Sequence, residues 1–357
     1  MPEKSNPAAS PVTPDAESPT DSGRRPGPPP GRVVAVTGTS AFLGTHLIGL
    51  LEDSERIERV ISLDPVAPTT AGPKTRHFDV DLTQGNPEER IAEILATEKV
   101  DTLVHLAFRG SPSHRPGKVH ELESVGTMHA LNACRRTQVH KVVLWSQTFL
   151  YGARPTNPNF LSENHPLRAD RSDAFFADKI EAEADALDFG KPGRGRTVTI
   201  LRTAPIVGPS IDNYFTRYLR QPVVPTVMGF DPLWQFLHES DAVAAFKRAI
   251  DHNAPGIFNI TGEGVLPLSK VVRLVSRSRV ALPRPAADWV IGTLWAARAS
   301  AIPAAFLDYL QYVCVADGAR ARRELGFVPM YTSREAVSDF AAAQNLRDVK
   351  LLSENPA

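Results

Sequence analysis

The sequence predicts an α/β protein built on a doubly wound parallel sheet, with a smaller C-terminal lobe and an N-terminal tail outside the fold. Three observations predict it. From Gly31 onward, short β-branched runs alternate with helix-length amphipathic stretches; several of those runs are apolar at consecutive positions; and a glycine-containing turn sits at the first strand–helix junction. Strand–helix alternation means parallel strands joined by crossovers. Unbroken apolar runs such as VVAV and KVVL suit strands covered on both faces.

Residues 1–30 carry nine of the 31 prolines, and their only apolar side chains are Met1, Val12 and three alanines. Such a segment buries too little to offset its ordering entropy, so it reads as a disordered, Pro-rich tail. Strands are expected at 32–36 (RVVAV), 59–63 (RVISL), 76–80 (RHFDV), 102–106 (TLVHL), 141–145 (KVVLW) and 197–201 (TVTIL). Between them, residues 45–52, 87–97, 119–136 and 174–189 have apolar positions at helical spacing. After about residue 205 the rhythm loosens, with Pro222, Pro225, Pro232, Pro267, Pro283, Pro285 and Pro303 punctuating short helices. Residues 256–260 (GIFNI) read as a return to the sheet. The division expected is therefore a sheet domain over 31–205, rejoined by about 235–262, and a substrate lobe over 206–345. The apolar stretch 289–297, bounded by Asp288, Arg298 and Pro303, reads as a helix packed into that lobe rather than one lying on a membrane.

Forty Lys+Arg balance 40 Asp+Glu, so no net field draws the chain toward nucleic acid or an anionic membrane. Two cysteines, Cys134 and Cys314, exclude a disulfide scaffold and a cysteine-ligated structural zinc, and fit a reducing cytoplasm. No apolar run reaches the length of a membrane span. His114, His120 and His129 lack ligand spacing to one another, and no metal is expected.

The first strand runs into Thr37-Gly38-Thr39-Ser40-Ala41-Phe42-Leu43-Gly44, after which a helix opens. Backbone N–H groups at such a turn, together with a helix N-terminus, form an anion site for a pyrophosphate. Gly38 permits the tight turn, Gly44 lets the helix lie close on the strand, and Ala41 adds a methyl where a third glycine would allow the closest approach. Twenty residues beyond Gly44 the second strand ends at Asp64. A carboxylate there accepts from both hydroxyls of an adenosine ribose and repels a 2′-phosphate, which favours NAD over NADP. Asp81 and Leu82 fall where an adenine ring would lie.

With those residues read, the chain resembles the NAD-dependent epimerase/dehydratase family of the extended short-chain dehydrogenase/reductase superfamily. The resemblance rests on the turn Thr37 to Gly44, on Asp64, on Asp81-Leu82, on Val104-His105-Leu106-Ala107, on Gly126-Thr127, on Tyr151-Gly152, and on Lys179 and Glu183. It continues through Leu201-Arg202, Gly208-Pro209, Gln235-Phe236-Leu237-His238 with Asp241, Phe258-Asn259, and Glu324-Leu325-Gly326-Phe327 with Pro329. The wording is closest to a branch loosely labelled UDP-glucose-4-epimerase-like. The resemblance implies a Rossmann domain holding NAD, with Gly38, Ser40, Ala41, Phe42, Leu43, Gly44, Asp64, Asp81, Leu82, Leu106, Ala107 and Lys179 around the cofactor. It implies a small-molecule substrate, commonly a nucleotide sugar, and a homodimer formed through the helices at 119–136 and 174–189.

The family's proton chemistry uses a Tyr four residues before the Lys, with a Ser or Thr beside it. Here the sequence departs. Phe175 stands four before Lys179, and a benzene ring neither gives nor takes a proton. General acid–base catalysis, worth about 10²–10⁴-fold, is lost at that point. Gln147 stands where the hydroxyl residue is usual, flanked by Ser146 and Thr148, and Glu123 stands where an Asn commonly precedes the Gly-Thr pair. Lys179, Thr148 and Gln147 remain the catalytic candidates. Tyr151 offers the nearest phenol, His105 reads as a core histidine, and Arg202 and Arg217 suit either a substrate phosphate or salt bridges. Two readings stay open: an NAD-dependent enzyme with a rearranged acid–base group, or a catalytically silent dinucleotide-binding sensor or partner protein.

Overall fold

Why the central strand is central is visible in its side chains: all six residues of β1 (Arg32–Thr37) are buried. The computed structural model describes residues 31–192, 195–300 and 302–354; the tail expected at 1–30 lies outside the described residues. β1 pairs in parallel with β2 (Ile57–Leu63) on one side and β4 (Thr102–His105) on the other. β3 (Thr75–Phe78) closes one edge beyond β2, while β5 (Lys141–Gln147) and β6 (Thr197–Thr203) extend the sheet beyond β4. The strand Gly256–Ile260 pairs in parallel with β6 at the other edge, which gives seven strands. β3 ends two residues before the pattern suggests, and the N–H of Val80 then turns to the Asp64 carbonyl at 3.4 Å.

α1 (Phe42–Glu52) and the helix Glu239–Asp251 cover one face of the sheet. α2 (Pro87–Thr97), α4 (Gly126–Arg135) and α5 (Ala174–Phe189) cover the other. α1 starts three residues earlier than its apolar spacing suggests, because Ala41 already accepts the first intrahelical bond from Thr45 N–H. The stretch 119–136 is not one regular helix. α3 (Pro116–His120) is followed by a wide π-turn, Glu121–Val125, before α4 begins. That turn carries Glu123, and wide turns of this kind are frequent at functional sites.

The C-terminal half adds a third apolar cluster, in which α6 (Tyr214–Arg220) meets Phe149, Phe175, Phe306 and Tyr309. The strands Val223–Val227 and Ser278–Leu282 pair beside it. The stretch expected at 289–297 to be packed into the lobe belongs to the helix Arg284–Ala296, which buries only Ala287 and Ile291 and leaves Trp289 72% exposed. The helix is docked by a narrow stripe rather than embedded. Its Trp295 stacks on His114 with ring centroids 3.9 Å apart, so the loop after β4 touches this helix.

His105 ties three elements together beneath the turn. Its Nδ1 lies 2.8 Å from Thr37 Oγ1 and its Nε2 2.9 Å from Thr127 Oγ1. It is the core histidine that the sequence suggests, 1% exposed, and burial lowers its pKa from the ordinary 6.5 to about 4. Above pH 6.5 the neutral ring stabilises the fold. Between 6.5 and about 4 the unfolded chain binds the extra proton, so stability falls with pH by roughly 3 kcal/mol, and below about 4 this loss stops growing. Urea unfolding from pH 7 to 4 should therefore show the stability advantage of wild type over His105→Asn shrinking by about that amount. An advantage that holds constant across the range refutes the assignment.

Candidate dinucleotide cleft and the pocket beside it

Strand order reverses at β1, whose neighbours β2 and β4 lead the chain in opposite directions across the sheet. Ligands of open α/β sheets bind at that switch, beyond the carboxyl ends of the strands. In the register, Thr37 lies opposite both Leu63 and His105, so the turns that begin at Gly38, Asp64 and Leu106 leave the sheet side by side. Gly38 adopts φ +70°, and a Cβ there would lie 2.6 Å from the Leu106 carbonyl oxygen. A Cβ on Gly44 would lie 2.3 Å from the Gly38 carbonyl oxygen. Both glycines are thus required for the turn to sit where it does.

The three turns enclose a cleft of about 1290 Å³ lined by Gly38, Ser40, Ala41, Asp64, Asp81, Leu82, Leu106 and Ala107. The Asp64 carboxylate stands at its edge, its Oδ2 accepting from Ser40 N–H at 3.3 Å and its Oδ1 from Val66 N–H at 3.0 Å. Each oxygen keeps a second lone pair for a ligand hydroxyl. α1 begins without a side-chain cap or an acidic residue in its first turn, which leaves its N-terminal amides for an anion. These features fit a dinucleotide: pyrophosphate on the turn, ribose on Asp64. Arg217, read from the sequence as suiting a phosphate or a salt bridge, lines the cleft while pairing with Asp212, and Arg109 and Pro112 also line it, contributions for which the sequence offered no motif.

A second pocket of about 750 Å³ opens beside the first, sharing Ala41, Leu106, Phe108, Gly110 and Asp212 with it. Phe42 and Leu43, expected around the cofactor, line this pocket rather than the cleft, and Gly44 lines neither because it is packed against Gly38. Gln147, at the end of β5, faces the pocket. Thr148 does not: the chain turns into a single 3₁₀ turn there, and Thr148 is buried away from both cavities.

Lys179 lines neither cavity. Its ammonium is 2.6 Å from Glu123 Oε2 and 3.8 Å from the centre of the Phe175 ring, and both charged side chains are almost wholly buried. Glu123 Oε1 accepts from Arg109 N–H at 2.6 Å. Burial pushes the Glu123 carboxyl up and the Lys179 ammonium down, and each charge holds the other back. The residue expected to reach a nicotinamide ribose is therefore committed to a carboxylate. Phe175 keeps the electron-rich face that the ammonium sits on while lacking the hydroxyl. Tyr151 is no substitute base. Its hydroxyl donates to Asn259 Oδ1 at 2.7 Å and accepts from Arg202 at 3.0 Å, and burial pushes its pKa up to about 12. Arg202 in turn grips Glu183, which also accepts from Ser146 Oγ, so this network is structural. Among the described residues, His120 of α3 and Asp178 and Glu181 of α5 bring side-chain N and O atoms within 4.8 Å of one another, a grouping that sequence spacing did not show.

A sequence profile of the NAD dependent epimerase/dehydratase family matches residues 34–261. The chain is 34% identical over 324 residues to an uncharacterized protein of Mycobacterium tuberculosis, covering 89% of this chain and 85% of that one. It is 25% identical to a 3-diazoavenalumate denitrifying reductase of a Streptomyces species, over 84% of this chain and 97% of the relative. Among solved structures, MoeE5 in complex with UDP-glucuronic acid and NAD matches with TM-score 0.67 and 22% identity, over 89% of this chain and all of that one. The UDP-glucose 4-epimerase of Thermotoga maritima matches with TM-score 0.67 and 17% identity, over 89% of this chain and 99% of its own. At such identities these two share the fold. A mononucleotide-switch sheet with an open turn after its first strand defines a dinucleotide-binding α/β protein. The chain belongs to the NAD-dependent epimerase/dehydratase family.

The buried pair makes a direct prediction. Lys179→Met strands a buried carboxylate and should cost about 3–5 kcal/mol, whereas Glu123→Gln combined with Lys179→Met should regain most of that loss. Thermal and urea unfolding of the two single variants and the double variant measure it; additive losses would show that the two groups do not act as a pair.

Proposed function

We propose that this protein binds NAD in the cleft between Gly38, Asp64 and Leu106 and acts on a hydroxyl- or keto-bearing small molecule in the adjoining pocket, without the family's Tyr–Lys pair. The observation that carries the cofactor reading is the Asp64 carboxylate, held by two backbone amides at the rim of the same cleft that the glycine turn borders. When bound, NAD supplies the redox chemistry; the chain's own residues position it. The turn amides and the start of α1 meet the pyrophosphate, Arg217 adds a guanidinium at the cleft wall, Asp64 accepts from the adenosine ribose, and Asp81 and Leu82 border the adenine. The adjoining pocket supports the enzyme reading, because it gives a substrate a place next to the cofactor.

A second reading, a catalytically silent sensor or partner protein, draws support from one observation: Phe175, Glu123 and Lys179 form a closed unit facing neither cavity. A homodimer through α4 and α5 belongs to the same proposal, supported by the exposure of Met128 and Leu187 on those helices.

Calorimetric titration tests the cofactor. Wild type should bind NAD one to one. Asp64→Asn should weaken it about 10–100-fold, the value of hydrogen bonds to a charged acceptor, and Asp64→Arg should abolish NAD binding or shift it toward NADP. No dinucleotide binding by wild type overturns the reading. A turnover screen of hydroxyl and keto substrates separates the enzyme from the silent protein.

A further inference from the structure

The pocket beside the cleft has a chemistry of its own. Phe108, Trp145, Phe149 and Phe215 line it with aliphatic neighbours, and no Lys, Arg or His side chain is among its lining residues. Most of its polar groups are already used. Trp145 Nε1 donates to Thr203 Oγ1 at 3.0 Å, and Thr203 Oγ1 donates to the Ser146 carbonyl at 3.2 Å. The Asn213 side chain caps α6, accepting from Thr216 N–H and donating to the Ile206 carbonyl. The Asp212 carboxylate is held by Arg217 and Arg220.

Two polar side chains are left. The Gln147 side chain bonds no protein group among the described residues, and neither does the Tyr214 hydroxyl. The latter is the exception among buried phenols: Tyr151, Tyr218 and Tyr309 hydrogen-bond to Asn259, the Pro225 carbonyl and the Phe149 carbonyl. Tyr214 is 3% exposed, lines the pocket, and sits edge-on to Phe175 with ring centroids 5.6 Å apart. A phenol so little exposed, with no protein partner, is free to donate to a ligand oxygen in the pocket.

We propose that this pocket receives a compact, uncharged aromatic compound whose carbonyl or hydroxyl oxygen is bound by the Tyr214 hydroxyl and the Gln147 amide. The proposal rests on the reading of the adjoining cleft as the NAD site, which makes this the substrate pocket. Offset and edge-on ring packing rewards a flat aromatic ligand among these rings. A nucleotide sugar fits poorly. Its diphosphate would be buried without a counter-charge, which is strongly unfavourable. Arg217 lines the adjoining cleft rather than this pocket, and Asp212 engages it. Burial raises the Tyr214 pKa well above 10, so the phenol stays protonated and donates.

The test is calorimetric titration of the full chain with 4-hydroxyacetophenone and with UDP-glucose, each with and without saturating NAD. The aromatic ketone should bind one to one and at least tenfold more tightly than UDP-glucose. Tyr214→Phe, which keeps the ring packing, should weaken it about tenfold, and Gln147→Leu several-fold; should Tyr214→Phe fail to fold, Gln147→Leu carries the test. UDP-glucose binding more tightly than the ketone, no ketone binding, or ketone binding indifferent to the folded variants overturns the proposal. Ketone binding that survives while NAD fails to bind refutes the cofactor reading and leaves the pocket's ligand class standing. NAD binding without ketone binding refutes this proposal alone.

Discussion

Everything at the carboxyl end of the sheet depends on one close approach: the turn after β1 lies directly against the backbone leaving β4. Gly38 leaves no room for a Cβ beside the Leu106 carbonyl, and Gly44 leaves none beside Gly38. Because those two positions carry only hydrogen, α1 starts low on the strand, its uncapped amides face the switch point, and Asp64 from β2 can reach Ser40. A larger side chain at either glycine would lift the helix and close the cleft that the rest of the site borders.

Beside that cleft, the corner that holds Phe175 and Lys179 is an apolar and ionic core. Phe175 is buried among Phe176, Tyr214 and Phe306 and lines neither cavity. Lys179 is neutralised by Glu123 from the wide turn between α3 and α4. The two departures are linked physically: Lys179 is a buried charge, and the carboxylate at position 123 supplies its partner. What opens to the adjoining pocket instead is Gln147 and Tyr214.

The sheet was legible because its inner strands are covered on both faces and its punctuation is conventional, so β1, β2, β4, β5, β6 and the return at Gly256–Ile260 follow from apolar runs, whereas the edge strand β3 buries none of its four residues and follows from the alternation alone. That the turn, Asp64, Asp81 and Leu82 would border one cleft was legible because each sits at a fixed offset from a strand end. The break at Glu121–Val125 was not, since apolar spacing runs through it unchanged. The commitment of Lys179 was not either: Glu123 lies 56 residues away, and only the packing of α5 against the wide turn brings them together. Tyr214 carries no motif. Its helix begins at an Asn213–Thr216 capping box inside a proline-broken region, a signal of helix start and nothing more. The exposed face of Arg284–Ala296 is a further case, where an apolar composition suggested burial that only Ala287 and Ile291 achieve.

The buried Glu123–Lys179 pair also constrains how this chain can change over time. Neutralising the acid first abandons an ammonium in a dry interior, and neutralising the base first abandons a carboxylate there. Either order passes through a less stable ancestor, so the pair works as a ratchet that mutation, taken one step at a time, does not readily undo.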